Sequence, residues 1–423
     1  MKWSKYNRIV YDNSRWYIFN YLYNSIVEIQ EELVSIVRLN QENVNGIKEI
    51  HPDLYDYFIQ NNYILDNNKN ELDECLHILD QRYNSKNQLR IVINPTLDCN
   101  LRCWYCYESI KKGSSASKDV FRNLIKLIKK SMKNTELNTV HLSFFGGEPL
   151  LKTSNFIIPL ISEVKPICDE FGKKFIHSYT TNAVLLTPKV TDLLFDISKE
   201  FHIQVPFDGG KEFHNKTKSF PSGRGSYEIV LNNIKYAIKK GVKVNVRCNY
   251  TNENISSFQE LIGEFKSNNS QNLQFSLHKV WQEKETAELI SNVSKIGKLL
   301  DDNNIPSNIQ PLQRMSKCYA DFNNNFVLNY NGDIYQCTAR DFNPENRLGV
   351  LNAEGVIKYN SKYRERERSR IFFYCKECPI LPICTVCSQD KHENGQLKCP
   401  ADINSEKAEE HINRYFRTLM KTN

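Results

Sequence analysis

Between residue 89 and about residue 310, short stretches of period-two hydrophobicity alternate with longer stretches of helical period. Arg90-Ile-Val-Ile-Asn94, Thr139–Phe145, Lys174–Thr181, Phe201–Val205, Val242–Cys248 and Leu273–His278 read as strands. Amphipathic helices fall between them, for example around Leu160, Ile161, Val164 and Cys168. Such alternation predicts an α/β fold with a parallel sheet and crossover helices. The strands are not uniformly apolar. Val242, Val244, Val246 and Cys248 share one face, and Lys243, Asn245, Arg247 and Asn249 share the other. His141 and Ser143 oppose Val140 and Leu142; Gln204 and Asp208 oppose Ile203 and Phe207; Ser276 and His278 oppose Phe275 and Leu277. A closed barrel fills its interior with branched apolar side chains. A face of Ser, His, Gln, Asn and Arg instead predicts an open cavity for a polar ligand, although any sheet covered on one side also alternates. Cys168 and Cys248 fall on apolar faces and are expected in the core.

Upstream, Ile9-Val-Tyr11 and Trp16-Tyr-Ile-Phe19 flank Asp12-Asn13-Ser14 and predict a hairpin, with Ile26-Val-Glu-Ile29 as a third strand. Leu33, Ile36 and Val37 keep helical spacing, and Pro52 suits a helix start. Leu54, Phe58 and a closing Tyr63-Ile-Leu65 follow, an order that resembles a winged-helix unit in outline. Leu72, Cys75, Leu76 and Leu79 keep helical spacing, so Cys75 is expected in the core rather than as a ligand. Far downstream, Arg364-Glu-Arg-Glu-Arg-Ser-Arg370 reads as a solvated helix face, and Ser405–Met420 as one terminal helix.

Composition narrows the class. The 423 residues leave room for two or three domains, and 40% hydrophobic content supports a large core. No run of about 18 apolar residues occurs, so no spanning helix and no membrane partner are expected. Met1-Lys-Trp-Ser-Lys-Tyr6 lacks a signal-peptide apolar stretch, and a cytoplasmic location is expected. The formal charge of +7 is spread along the chain. Without a concentrated basic stripe interleaved with aromatics, no nucleic-acid partner is expected; an acidic peptide fits.

The 13 cysteines change the picture. In a cytoplasmic chain, clustered cysteines point to metal rather than disulfides. Cys99-Asn-Leu-Arg-Cys103-Trp-Tyr-Cys106 places three thiols within eight residues, just after a strand. A loop of this kind can wrap three corners of an iron–sulfur cube and leave one iron open. A structural zinc would need a fourth Cys or His nearby, and the next cysteine is Cys168. Phe144-Phe-Gly-Gly-Glu-Pro149 ends the following strand. Gly146 and Gly147 would let the backbone approach a ligand, and Glu148 would accept from an ammonium group. Cys318, Cys337, Cys375, Cys378, Cys384, Cys387 and Cys399 then place seven cysteines in 82 residues. Pro379 and Pro382 stiffen the densest part. A zinc ribbon would explain four of the seven.

The cysteine loop together with Gly146-Gly-Glu-Pro149 resembles the radical SAM enzymes, and the seven later cysteines with Gly332 resemble the SPASM domain. The resemblance implies a partial (β/α)6 barrel over residues 89–310. It places a small winged-helix-like domain at 1–88, of the kind that grips the leader of a precursor peptide by strand addition, and a Cys-rich SPASM domain at 311–423. It implies S-adenosyl-L-methionine (SAM) and three [4Fe–4S] clusters. Cys99, Cys103 and Cys106 would hold the SAM-binding cluster. Cys375, Cys378, Cys384 and Cys399 would close one auxiliary cluster, and Cys318, Cys337 and Cys387 would hold the other. No further cysteine stands in Gln310–Lys317, so that last set has three members and could leave an iron open to a substrate thiolate. Gly146, Gly147 and Glu148 would hold the methionine amino group, Tyr105 would lie near adenine, and Asn182 near the nucleoside.

The chain also departs from the family pattern. Thr181-Asn-Ala183 stands where Thr-Asn-Gly is usual, and Pro206-Phe-Asp-Gly209 where Ser-x-Asp-Gly is common. His214-Asn215 replaces His-Asp, and Lys218 stands where an Arg often holds the SAM carboxylate. Arg247, near the end of a strand on the polar face, is the expected replacement, with Lys218 and Arg224 as alternatives. The spacing between Cys384 and Cys387 is one residue shorter than the SPASM pattern.

The implied function is peptide maturation. A 5′-deoxyadenosyl radical from SAM would abstract hydrogen from a residue of a ribosomally made precursor peptide, leading to a thioether or carbon–carbon crosslink. An external one-electron donor such as a flavodoxin or ferredoxin would be a partner. A sulfatase-maturase-type oxidation of Cys or Ser to formylglycine is the first rival. There an Asp base follows the cysteine equivalent to Cys337; here Thr338 follows, and the next carboxylate is Asp341. A catalytically silent peptide-binding or electron-transfer protein is the second rival.

Overall fold

The computed structural model describes residues 1–266, 271–307 and 317–420. Among these, 1–84, 317–322 and 365–420 form one compact unit, and 85–307 with 323–364 form another.

The first unit begins with β1 (Lys2–Trp3), β2 (Asn7–Asp12), β3 (Arg15–Asn20) and β4 (Ser25–Ile29). The strands β2, β3 and β4 make an antiparallel sheet. Asn13 and Ser14, at φ 48° and 63°, form the two-residue turn between β2 and β3. Left-handed backbone at both positions matches the twist of a tight hairpin, and asparagine tolerates it well. A short β5 (Ile64–Leu65) pairs with β1. Period two then gives the sheet two apolar faces. Ile18 packs with Val34, Val37, Ile47 and Phe58 of the three following helices. Tyr17 and Phe19 pack with Ala408, Ile412 and Phe416, spaced four residues apart on the helix Ser405–Met420. Cys75 is fully buried in this second core, as its helical spacing predicts.

In the second unit, β6 (Gln88–Asn94), β7 (Thr139–Phe144), β8 (Lys174–Thr180), β9 (Phe201–Phe207), β10 (Lys243–Tyr250) and β11 (Leu273–Lys279) are parallel neighbours in sequence order. The strands match the expected six, and helices connect them. Ser117, Thr187 and Thr286 cap three of these helices with their hydroxyls. The sheet does not stop at residue 310. β12 (Asn325–Asn329) pairs parallel with β6, and β13 (Asp333–Tyr335), β14 (Gly349–Leu351) and β15 (Ile357–Tyr359) extend it antiparallel to ten strands.

One face of the sheet is dry. Ile91, Leu142, Ile203, Val246 and Phe275 pack with Leu124, Leu160, Val164, Ile234 and Leu261 of the covering helices, and Cys168 and Cys248 lie fully buried among them. The opposite face keeps the polar residues in register. Ser143, Ser178 and His202 form one row, and Thr180, Gln204, Asn245 and Gln274 the next. Most of these are half-buried rather than enclosed.

His177 is a polar exception on the dry face. It is fully buried between Phe175 and Phe201, with ring centroids at 5.9 and 4.8 Å, and its nitrogens meet Tyr179 Oη at 3.0 Å and the Ser198 carbonyl at 3.1 Å. Burial pushes its pKa down to about 4, against the pull of the Ser198 carbonyl. Between pH 6.5 and 4 the unfolded chain binds a proton that the folded chain refuses, so stability falls as pH drops through this window. His177→Phe is expected to be less stable at pH 7 by about 1–3 kcal/mol. It should also lose about 2 kcal/mol less than the parent between pH 7 and 5. Denaturant unfolding at both pH values checks this.

Candidate functional site

The loop after β6 carries the three clustered cysteines and is hydrogen-bonded onto the C-terminal ends of the strands. Glu148 N donates to the Asp98 carbonyl at 2.8 Å, and Gly147 N to the Thr96 carbonyl at 3.2 Å. Asn182 Nδ2 donates to Asn100 Oδ1 at 2.8 Å and lies 3.9 Å from Cys99 Sγ. Lys218 Nζ stands 3.5 Å from Cys103 Sγ. Cys99 and Cys103 are half-buried, and Cys106 is exposed. Burial pushes the Cys99 thiol up to about 12, so a bound metal is what would draw out its thiolate.

Gly146 and Gly147 are required by the chain itself. Gly146 has φ +103°, and a Cβ there would collide with the Thr96 carbonyl; a Cβ on Gly147 would collide with the Asp98 carbonyl. The close approach expected toward a ligand is thus, in the folded chain, an approach to the cysteine loop. Glu148 is fully buried. Its carboxylate accepts from Leu150 N at 2.9 Å, Thr181 Oγ1 at 2.7 Å and Asn182 N at 2.8 Å. It therefore ties the ends of β7 and β8 together. Burial raises its pKa to about 7, against those three donors.

A buried polar chain runs from the loop across β9 and β10. Tyr105 Oη donates to Asp208 Oδ1 at 2.7 Å and accepts from Asn249 Nδ2 at 3.0 Å. Asp208 Oδ2 pairs with Lys218 Nζ at 3.3 Å, with both side chains nearly inaccessible. Burial alone would lower the Lys218 ammonium, but Asp208, Tyr105 and Cys103 together carry its pKa well above the usual value. Arg247 Nε donates to Asn249 Oδ1 at 3.0 Å. Among the described ion pairs Arg247 has no carboxylate partner, whereas Lys218 has Asp208. Arg224 is exposed, with its guanidinium 4.7 Å from the Phe220 ring centroid. The sequence offers Lys218 only as a possible carboxylate contact; the fold pairs it with Asp208, a polar-face residue at the end of its strand.

The first unit holds a second cysteine site. Cys375, Cys378, Cys384 and Cys399 line one cavity of about 330 Å³ with Tyr374, Leu381 and Ile403. Cys318 and Cys387 belong to the same unit, while Cys337 follows β13 in the other unit. Residues 308–316, which include most of the cysteine-free stretch before Cys318, lie outside the described residues. Among the described residues no group of three or more His, Cys, Asp or Glu closes around a single-ion position. Four separate thiols around one cavity suit a cube, whose thiolates bind different irons.

Two basic residues in this unit escaped the sequence reading. Arg366, from the stretch expected to be a solvated face, is 3% exposed. Its guanidinium donates to the Ala320 carbonyl at 3.0 Å, Ser388 Oγ at 3.1 Å and Gln389 Oε1 at 2.7 Å. A planar fork that finds three acceptors tolerates burial, and here it joins the neighbours of Cys318 to those of Cys387. Lys391 is 2% exposed. Its Nζ lies 3.6 Å from Cys375 Sγ, 3.8 Å from Cys384 Sγ and 3.1 Å from the Arg370 carbonyl.

Comparison with known proteins fits this geometry. Residues 93–265 match the model of the Radical SAM superfamily. The serine-type anaerobic sulfatase-maturating enzyme of Bacteroides thetaiotaomicron is 22% identical over 341 residues, covering 70% of this chain and 81% of that protein. The structure of anSMEcpe with bound AdoMet superposes with TM-score 0.59 at 19% identity, over 79% of this chain and 98% of that one. Streptococcus suis SuiB bound to precursor peptide SuiA superposes with TM-score 0.51 at 17% identity, over 91% and 95%. At these identities the solved structures establish a shared fold.

Proposed function

From a chain that carries a radical SAM domain over residues 93–265, we propose a peptide maturase that oxidises a residue of a ribosomally made precursor. Radical SAM enzymes use SAM and a [4Fe–4S] cluster, and when bound the two supply a 5′-deoxyadenosyl radical able to take hydrogen from an unactivated carbon. Cys99, Cys103 and Cys106 hold that cluster. Asn182 fixes the loop through Asn100, and Lys218 places a compensated positive charge beside Cys103. Arg247, free of a carboxylate partner among the described ion pairs, takes the SAM carboxylate. Glu148 and the Gly146–Gly147 backbone shape the methionine end, with Tyr105 and Asn182 toward the nucleoside. The half-buried polar rows of the sheet orient the peptide and exclude water.

Cys375, Cys378, Cys384 and Cys399 hold an auxiliary cluster in this reading. The N-terminal sheet grips the peptide leader by strand addition. The protein works in the cytoplasm with a flavodoxin or ferredoxin, and the product is a thioether or carbon–carbon crosslink. The observation that carries the reading is the three-thiol loop, hydrogen-bonded onto the strand ends beside a polar sheet face. The Bacteroides relative supports a second reading, oxidation of a sulfatase Cys or Ser, against which stands Thr338 after Cys337.

Mass spectrometry separates them. The reconstituted protein is incubated anaerobically with SAM, reductant and either a peptide encoded beside its gene or a sulfatase-derived peptide. Loss of two hydrogens from the former supports maturation. Oxidation of only the sulfatase peptide transfers the assignment to the second reading.

A further inference from the structure

We propose that Lys391 is a positioning residue that supplies the counter-charge of the cluster at Cys375, Cys378, Cys384 and Cys399, and so sets how readily that cluster accepts an electron. The inference rests on the auxiliary-cluster reading above and adds to it a residue that no cysteine pattern marks.

The geometry is specific. Lys391 is 2% exposed, and its ammonium meets two of the four thiols and one neutral carbonyl. No carboxylate pairs with it among the described ion pairs. The other charged residues lining the cavity, Glu377, Lys398 and Asp402, are exposed and screened by solvent. A buried ammonium without a counter-ion is strongly disfavoured. The arrangement is relieved when the thiols beside it carry negative charge, as they do on binding metal. Lys218 offers the contrast. It also touches a cluster cysteine, but Asp208 at 3.3 Å cancels its charge. The second-unit loop thus receives a neutral pair, whereas the four-cysteine cavity receives a net positive charge. Charge and hydrogen bonds at the sulfurs are among the determinants of a cluster's potential. A positive charge stabilises the more negative, reduced form and raises that potential.

The test uses the full chain, reconstituted anaerobically, with Cys99, Cys103 and Cys106 replaced by Ala so that only auxiliary signals remain. Lys391→Met, Lys391→Gln and Lys391→Arg are compared by iron content and by a redox titration followed by electron paramagnetic resonance. At a fixed poise, the two neutral variants should hold a reduced-to-oxidised ratio at least tenfold lower than the parent, about 59 mV for a one-electron couple. Loss of that site's iron in both neutral variants, with retention in Lys391→Arg, supports the same requirement. A parent-like potential in Lys391→Met or Lys391→Gln overturns the inference, as does Lys391→Arg being as impaired as Lys391→Met. Cys375→Ala keeps the two levels apart. If it leaves iron and signals unchanged, the auxiliary-cluster reading itself fails, whatever Lys391 does.

Discussion

Asp208→Ala is expected to destabilise the protein by about 3–5 kcal/mol, because it leaves a buried ammonium unpaired. Asp208 and Lys218 are 1% and 4% exposed, and their contact is 3.3 Å. Removing the carboxylate also frees Tyr105 Oη, whose 2.7 Å bond to Asp208 fixes the cysteine loop from the inside. The loss should therefore appear twice, as a lower midpoint in denaturant unfolding and as weaker iron retention by the loop. The double variant Asp208→Ala with Lys218→Met removes both charges and should recover most of the unfolding free energy. It should not restore iron retention, since Tyr105 still lacks its Asp208 acceptor and Cys103 has now lost Lys218. A double variant as unstable as Asp208→Ala would show that the pair is not the source of the loss.

Gly147→Ala is expected to reduce SAM cleavage at least tenfold through a single added methyl group. The new Cβ would fall inside contact distance of the Asp98 carbonyl, which is backbone and cannot rotate away. Overpacking of this kind costs about 1–3 kcal/mol. The strain lands on the segment that precedes Cys99 and should displace the cluster loop. Gly263, at the end of the helix Phe258–Gly263, meets nothing within 4 Å of an added Cβ. Gly263→Ala should leave cleavage unchanged. Iron content and 5′-deoxyadenosine formation, measured side by side, check both variants. Full iron and full cleavage in Gly147→Ala would rule out the close-packing account of that glycine.

The strands β6–β11 were legible because period-two hydrophobicity recurs along them, and β9 and β10 show the dry and polar faces most plainly. Ser405–Met420 was legible for the matching reason: Ala408, Ile412 and Phe416 keep helical period. The pairing of β12 with β6 was not, since the three-residue apolar run Phe326-Val-Leu328 says nothing about a partner more than 200 positions earlier. The Gly146–Gly147 pair pointed to a close approach, but only the fold shows that the neighbour is the cysteine loop. Lys391 and Arg366 lie in strongly polar stretches that read as surface. Their burial depends on acceptors from distant segments, the Cys384 and Cys375 sulfurs for one and the Ala320 carbonyl for the other. Periodicity cannot reveal such contacts.

The central claim is that the loop of Cys99, Cys103 and Cys106 holds a cluster that works with SAM. The most direct measurement is 5′-deoxyadenosine release after anaerobic reconstitution, SAM and a strong reductant, comparing the parent with the Cys99, Cys103 and Cys106 triple Ala variant. The account predicts release by the parent and none by the variant. An iron-loaded parent that releases nothing, or equal release by both, would contradict it and favour a silent peptide-binding or electron-transfer protein.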